Sequence, residues 1–348
     1  MASPKRWQPR EGFSADVIAR LVNGTLLSTS LTLPLFLLTK FTSWGQEYGE
    51  RRPGVVRVLR LLLSIGLYRT INAWLSRRSL NNGVSDTYNW RAEIAVVTGG
   101  SDGIGKRIAL LLAARGLKVA VLDVQPLKYE HPANIEFFLC DICSSEQIAG
   151  VAQQIRAKMG EPTILVNNAG ILKGKTILGG TEAETRQTFE VNTMSHYWLT
   201  RQFLPHMVSR NHGMVVTVAS LASHVTSANL VDYSASKAAA LAFHEGLAGE
   251  LRSCYSAPKV RTVLVTPGFV NTQLVDVIRP GGSLLTPLLH PDTVAEAVTD
   301  QILTGRSGNV ILPIFSGNIV SNVRSFPHWL QKRFRNEGAR LMSPRSRG

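Results

Sequence analysis

The chain has 348 residues, a formal net charge of +14 and only three cysteines. Three cysteines are too few for a disulfide scaffold of this length, so a reducing compartment is expected. Residues 1–92 carry 13 basic against 5 acidic residues, residues 93–323 carry 18 of each, and residues 324–348 carry 7 against 1. A nucleic-acid-binding protein would carry the basic surface on its folded domain, so basic ends beside apolar segments favour anionic lipid headgroups instead.

The first ninety residues contain two long apolar stretches. Residues 21–38 carry no charge and meet the lower length limit of a membrane span, although polar residues and Pro34 dilute the stretch. A cleaved signal peptide is not expected, because Glu11 and Asp16 precede this stretch. Residues 55–75 are interrupted by three arginines, which favours a helix lying among headgroups over one that crosses the bilayer.

A third amphipathic segment lies near the C-terminus. Aromatic and leucine side chains alternate there with basic ones: Phe326, Trp329, Leu330, Lys332, Arg333, Phe334 and Arg335. We therefore expect a membrane-associating region over residues 1–90, a folded domain over residues 91–315 and a basic amphipathic tail over residues 316–348. Helices that face a partner or pack on the core are the alternative for all three segments.

From Ala92 onward, short β-branched runs alternate with longer helical patterns. The predicted strands are 93–98, 118–123, 163–166, 214–219 and 260–265, and the predicted helices are 104–115, 145–159, 188–209 and 232–253. Strands that alternate with helices imply a parallel sheet covered on both faces. The predicted fold is therefore α/β, a doubly wound parallel sheet of the Rossmann type in a single domain.

A glycine-rich turn joins the first predicted strand to the first helix. Its residues Gly99, Ser101, Gly103, Ile104 and Gly105 are candidates for binding a dinucleotide. Glycines allow a tight turn and close approach of a pyrophosphate, and the helix N-terminus offers free N–H groups.

The second predicted strand ends at Asp123, where a carboxylate can accept hydrogen bonds from the adenosine ribose hydroxyls. A 2′-phosphate would meet like charge there, and Asp102 in the turn adds to that repulsion. NAD is therefore favoured over NADP, although Lys106 and Arg107 nearby leave NADP open.

Tyr233 and Lys237 are four residues apart at the start of a predicted helix. This spacing places the phenol and the ammonium on one face, where the cation is expected to lower the tyrosine pKa for proton transfer. Ser220, at the end of a predicted strand, could hydrogen-bond the same substrate oxygen.

Together these motifs resemble the short-chain dehydrogenase/reductase family over about residues 92–315. The matching positions are Thr98, Gly99, Gly103, Gly105, Asn167, Asn168, Ala169, Gly170, Asn192, Ser220, Tyr233, Lys237, Pro267 and Gly268. The resemblance implies that Tyr233 is the acid/base, that Lys237 binds the nicotinamide ribose and tunes Tyr233, that Ser220 positions the substrate oxygen, and that Asn192 holds a water of the proton relay.

The same resemblance assigns four further cofactor positions. It implies that Asp141 contacts the adenine ring and that Asn168 supports the sheet beside the cofactor. It implies that Val270 and Thr272 contact the nicotinamide carboxamide. Residues 271–287 are expected to form a mobile substrate lid.

Residues 192–198, 210–213 and 216–220 resemble the lipid-acting branch, which includes retinol dehydrogenases and 17β-hydroxysteroid dehydrogenases. This resemblance implies a lipophilic substrate and a location on the endoplasmic reticulum or lipid droplets, with the catalytic domain on the cytosolic side. It also implies a possible homodimer formed through helices 188–209 and 232–253.

Several alternatives remain open. Cys140 and Cys143 have redox or half-zinc spacing, but no second Cys/His pair follows, so no metal is expected. A nucleotide sensor without activity would be expected to lack Tyr233 or Lys237. A lipid-surface scaffold would leave both residues unexplained, and Asp123 argues against an NADPH-dependent long-chain ketone reductase.

Overall fold

Seven strands form the centre of the computed structural model, which describes residues 10–278 and 282–341. They are β1 Ile94–Thr98, β2 Lys118–Asp123, β3 Ile135–Leu139, β4 Ile164–Asn167, β5 Met214–Val218, β6 Arg261–Pro267 and β7 Gly308–Leu312. The strands pair in parallel in the order β3-β2-β1-β4-β5-β6-β7. The order reverses between β1 and β4, and at such a point the carboxyl ends of the strands open a crevice for ligands.

Twelve helices surround and precede the sheet in the described residues. They are α1 Ala15–Gly24, α2 Thr29–Phe41, α3 Ser43–Arg51, α4 Pro53–Leu80, α5 Gly103–Ala114, α6 Ser145–Met159, α7 Glu182–Phe189, α8 Ser195–Arg210, α9 Val231–Ser253, α10 Pro291–Leu303, α11 Ile314–Ser321 and α12 His328–Leu341. Helices α5 and α10 cover one face of the sheet, and α6, α8 and α9 cover the other. The predicted doubly wound α/β fold is confirmed.

Alternation along the strands builds the two apolar layers. In β1, Ala95 and Val97 pack towards α5 and α10, whereas Ile94 and Val96 pack towards α6, α8 and α9. All five β1 residues are buried, as expected for a central strand of a parallel sheet.

The sequence interpretation missed β3, α10, β7 and most of α7. β3 and β7 are the edge strands, and only part of each is buried, so neither shows the continuous apolar run of a central strand. The predicted helix 188–209 is divided by a π-helical turn, Glu190–Met194, between α7 and α8. Residues 279–281, within the predicted lid, lie outside the described residues.

Four helices precede the sheet, and most of their apolar side chains are exposed. The uncharged stretch 21–38 does not form one continuous helix, because α1 ends at Gly24 and α2 begins at Thr29. Helix α4 packs on this break, where a β-carbon on Gly66 would lie 2.8 Å from the Leu27 carbonyl oxygen. Among the described residues, no single helix is long and apolar enough to cross a membrane. By length and composition alone, α1 and α2 together could do so, with a bend of 41°.

The linker between α4 and β1 is bound to the sheet domain by several buried or partly buried hydrogen bonds. Arg261, which is 1% exposed, donates to the carbonyl oxygens of Asn81 at 3.2 Å and Val84 at 2.9 Å. The Asn81 side chain accepts the Ser307 N–H at 2.9 Å. These bonds join the end of α4 directly to β6 and to the loop before β7. We call this group of contacts the linker clasp.

Candidate active site

Glycines leave room for a dinucleotide between β1 and α5. Gly99 has φ +65°, and a β-carbon there would lie 2.9 Å from the Ala169 Cα. A β-carbon on Gly105 would lie 2.1 Å from the Gly99 carbonyl oxygen. Asn168 fixes the turn by donating to the carbonyl oxygens of Thr98 at 3.0 Å and Gly99 at 3.3 Å. The free N–H groups of α5 therefore face a cradle that fits a pyrophosphate.

The remaining turn residues lie close to the predicted nicotinamide contacts. Ser101, Gly103 and Ile104 line the same cleft as Val270 and Thr272. A β-carbon on Gly103 would lie 3.5 Å from the Thr272 methyl group. The structure therefore brings both ends of the predicted cofactor site to one cleft.

Two carboxylates lie at the carboxyl ends of neighbouring strands, at the predicted adenosine end: Asp123 ends β2 and Asp141 follows β3. The oxygens of Asp123 accept the backbone N–H groups of Ser101 at 3.0 Å and Gln125 at 3.1 Å. Asp141, just beyond β3, accepts the Cys143 N–H at 2.9 Å. Both carboxylates line the cleft, as expected if they flank an adenosine.

The two cations that left NADP open have partners inside the protein. The Lys106 ammonium lies 4.6 Å from the centre of the Tyr129 ring. The Arg107 guanidinium pairs with the carboxylate of Asp292 and donates to the Gly103 carbonyl oxygen at 2.8 Å.

Tyr233, Lys237 and Ser220 meet at the carboxyl end of β5. Tyr233 and Lys237 lie one turn apart on α9 and are 8% and 3% exposed. The Lys237 ammonium donates to the carbonyl oxygen of Val218, the last residue of β5, at 2.9 Å. Ser220 follows two residues later and accepts the Ala222 N–H at 3.1 Å. The spacing of the motif therefore places the three candidate groups in one buried site.

Burial determines the protonation of this site. It raises the pKa of the Tyr233 phenol, and a hydrogen bond with Ser220 lowers it in part. It lowers the pKa of the Lys237 ammonium to about 8. Desolvation of the phenol is the larger of the two effects on Tyr233, so the net pKa of Tyr233 is raised. The lowering effect of Lys237 stays a prediction.

Asn192 lies within the π-helical turn and is fully buried. Its Oδ1 accepts the Ile171 N–H at 2.8 Å, and its Nδ2 donates to the Ile171 carbonyl oxygen and to Ser236 Oγ, both at 3.0 Å. Turns of this kind are frequent at functional sites because they redirect one side chain of a helix. A β-carbon on Gly170 would lie 3.3 Å from both Asn192 Oδ1 and Lys237 Nζ, so the amide and the ammonium face the same narrow space.

Burial shifts the pKa values of two cysteines and two histidines outside the polar groups named above. Burial raises the pKa of Cys140 to about 11 and that of Cys143 to about 12, which argues against a redox thiolate at neutral pH. Burial lowers the pKa of His196 to about 3 and that of His244 to about 4. Within the described ranges no three His, Cys, Asp or Glu side chains are grouped to hold a metal ion.

The cleft beyond Tyr233 is apolar. The whole cleft, which includes the predicted cofactor site, has a volume of about 1070 Å³. Tyr233 packs in one buried cluster with Leu172, Leu230 and Ile278, against which Phe269 also packs.

The sequence interpretation missed the contribution of the C-terminal helices to this cleft. Phe315 and Ile319 of α11 and Leu330 and Phe334 of α12 line it. The amphipathic pattern of the predicted tail could have indicated this contribution, but we interpreted the pattern as a membrane-binding segment. The same apolar face can cover a substrate cleft.

A family model described as short chain dehydrogenase matches residues 93–281. Dehydrogenase RED2 of Cochliobolus heterostrophus is 42% identical over 207 residues, which cover 59% of this chain and 78% of that protein. Estradiol 17-beta-dehydrogenase 11 of Macaca fascicularis is 33% identical over 250 residues, covering 70% and 80%. Human 17-beta-hydroxysteroid dehydrogenase 13 is 33% identical over 222 residues, covering 62% and 73%.

One solved structure supports the fold alone. The ligand-free aldohexose dehydrogenase of Thermoplasma acidophilum superposes with a TM-score of 0.56 at 23% identity. The match covers 64% of this chain and 92% of the other.

Proposed function

The chain belongs to the short-chain dehydrogenase/reductase family of oxidoreductases, and we propose that it uses NAD to interconvert an alcohol and a carbonyl group on a lipophilic substrate at a membrane surface. Family and fold together imply a nicotinamide dinucleotide cofactor. The relatives also bear out the resemblance to the 17β-hydroxysteroid dehydrogenase branch.

Apolar walls around the Tyr233 phenol are the observation that carries this proposal. Leu172, Phe269 and Ile278 line the cleft beside Tyr233 and offer a substrate no charge there. Burial of such walls favours an apolar ligand body, while the few polar groups at the floor orient one oxygen.

The residues of the site divide the proton chemistry among them. When bound, the nicotinamide supplies or accepts the hydride. The Ser220 hydroxyl donates a hydrogen bond to the substrate oxygen, and the Tyr233 phenol exchanges a proton with that oxygen. Lys237, held by the Val218 carbonyl oxygen, places a positive charge near the phenol and favours its ionised form. The buried surroundings exclude water from this exchange.

The preference for NAD rests on Asp123. Its carboxylate, held by two backbone N–H groups, faces the predicted ribose position, and a 2′-phosphate there would meet like charge. We expect Asp123→Asn to reduce the ratio of NAD to NADP affinity at least about tenfold, measured by cofactor titration of the purified protein. An unchanged ratio would leave the cofactor preference to other residues.

The enzyme proposal is tested by turnover in detergent solution with NAD and NADP against retinoid, steroid and long-chain alcohols and their carbonyl partners. Tyr233→Phe should reduce turnover by about 10² or more while cofactor affinity is kept. Tyr255→Phe, which removes an exposed phenol bonded to Glu250, is the matched control. Turnover that survives in Tyr233→Phe would contradict the proposed role. Tight NAD binding without turnover on any compound would favour a nucleotide sensor.

A further inference from the structure

The start of the described chain is bonded to two walls of the substrate cleft. The Ala15 N–H donates to the Leu284 carbonyl oxygen at 3.0 Å. The Asp16 carboxylate accepts the backbone N–H groups of Ile314 at 2.8 Å and Phe315 at 2.7 Å. These are the first residues of α11, whose own preceding residue, Pro313, provides no side-chain cap. Asp16 therefore caps α11 from almost 300 residues away.

Two further contacts hold the same segment in place. Glu11 accepts the His290 N–H at 2.9 Å. Arg10 forms a two-point pair with Glu296 at 2.8 and 2.7 Å. A paired guanidinium fixes direction as well as distance, so α1 starts in a defined position beside the cleft.

The segments that α1 holds, at Leu284 and at the start of α11, lie at the mouth of the cleft. Leu285 and Phe315 line the cleft, yet they are 53% and 40% exposed, which places them where the cleft meets solvent. Helix α1 contacts α11 and carries the exposed apolar side chains Ile18 and Leu21. We call the whole group the apolar rim: Ile18, Leu21, Leu284, Leu285, Ile314 and Phe315.

The apolar rim is continuous with the most apolar part of the chain. Helix α1 carries Ile18 and Leu21, and after four residues it is followed by α2, with which it forms the bent pair that meets the length and composition of a membrane segment. Arg20 and Lys40 flank the apolar part of this pair, as basic residues do beside phospholipid headgroups. The ten residues of α1 span about 15 Å, so lipid around α2 would begin close to the mouth.

We propose that the apolar rim lies against a phospholipid surface and that Asp16 is a positioning residue that holds the mouth of the cleft there. A lipophilic substrate then enters from the lipid phase without crossing water. Lipid contact covers the exposed rim side chains, which accounts for apolar surface that the protein itself leaves uncovered. The inference rests on the proposed function, but its first test needs no turnover.

The first test measures contact between the apolar rim and lipid in the full-length protein. A fluorescent thiol probe is attached at Leu284→Cys, and at Leu139→Cys as the control, both in a Cys254→Ser background. Leu139 is 66% exposed and lies on β3, at the opposite edge of the sheet from α11. Cys140 is buried, and the pKa of Cys143 is raised to about 12 by burial, so neither competes for the probe at neutral pH.

The protein is bound to vesicles of phosphatidylcholine and phosphatidylserine that contain spin-labelled lipid. We expect the probe at Leu284 to be quenched at least about threefold more than the probe at Leu139. Equal quenching at the two positions would overturn the rim contact, whether or not the protein turns over any substrate.

The second test separates Asp16 from general charge effects. Asp16→Ala removes the cap, whereas Glu47→Ala removes the same charge from an exposed ion pair with Arg51 on α3. In Asp16→Ala we expect faster amide exchange at Ile314 and Phe315, less quenching of the Leu284 probe, and a several-fold higher KM for a membrane-dissolved substrate with kcat retained. Vesicle binding should persist through α2 and α4. Behaviour equal to Glu47→Ala in exchange and quenching would overturn the positioning role.

Discussion

Apolar side chains are buried in the sheet but mostly exposed in the N-terminal helices. Every residue of β1 is buried, whereas α4, at 28 residues the longest helix described, buries only Leu63 and Gly66. Both are rich in valine, leucine and isoleucine, so composition does not explain the difference. Packing on both faces completes the sheet within the protein. The apolar surface of α4 remains for something outside it, which is the physical basis of the proposed membrane attachment.

The largest expected difference between the two regions is in cofactor affinity, when one glycine in each region is replaced by alanine. Gly105→Ala would put a β-carbon 2.1 Å from the Gly99 carbonyl oxygen, so cofactor affinity should fall by about 10² or more. A β-carbon on Gly54 of α4 has no neighbour within 4 Å, so Gly54→Ala should keep cofactor affinity and favour the helix by about 0.5–1 kcal/mol. Titration with NAD measures both variants, and equal affinities would break the contrast.

Truncation of one leucine in each region should give the next largest difference. Leu199 of α8 is fully buried, so Leu199→Ala should reduce the free energy of unfolding by about 2–5 kcal/mol. Leu61 of α4 is 60% exposed, so Leu61→Ala should change it by less than about 0.5 kcal/mol. Urea unfolding in the same detergent provides the comparison. A large loss in Leu61→Ala would mean that α4 packs against protein.

Lys237 is a cation buried in the core, where the loss of water destabilises its charged form. Because burial lowers the pKa of Lys237 to about 8, the unfolded chain binds a proton more readily than the folded one between pH 8 and 10.5. Stability should therefore rise with pH across that window. Lys237→Met should increase the free energy of unfolding at pH 7 by about 1–3 kcal/mol while turnover is lost, and its advantage should shrink by pH 10.5. A destabilised Lys237→Met at pH 7 would contradict this.

The smallest expected effect is a change in how steeply the free energy of unfolding declines as pH falls. His196 is buried, and its pKa is lowered to about 3 first by burial and then by the charges of Lys237 and His244. The unfolded chain takes up a proton at His196 as pH falls below 6.5, so stability should decline from there towards pH 3 by up to about 1.4 kcal/mol per pH unit. His196→Leu should flatten this decline in thermal unfolding measured from pH 7 to 4. An unaltered slope would assign the acid sensitivity to other groups.

Features that depend on short sequence patterns were predicted, whereas features that depend on contacts between distant residues were missed. The central strands, the glycine turn and the grouping of Ser220, Tyr233 and Lys237 follow from short motifs and alternation. The edge strands β3 and β7 lack a clear pattern because one side of each has no neighbouring strand.

The raised pKa of Tyr233 depends on how deeply the fold buries the phenol, which the spacing to Lys237 does not contain. The roles of Asp16 and Phe334 depend on partners elsewhere in the fold. Asp16 meets α11 almost 300 residues further along, and no short-range pattern in the sequence reports that contact.

The linker clasp restricts rotation of the sheet domain relative to α4. Arg261 and Asn81 hold the end of α4 against the sheet through several bonds, so the catalytic domain has little rotational freedom about α4. If α4 lies on a membrane, every copy then presents the same side to the lipid at the same tilt. The encounter between enzyme and substrate becomes two-dimensional diffusion between partners of fixed orientation, and its rate depends on how many substrate molecules share the membrane plane rather than on their concentration in water.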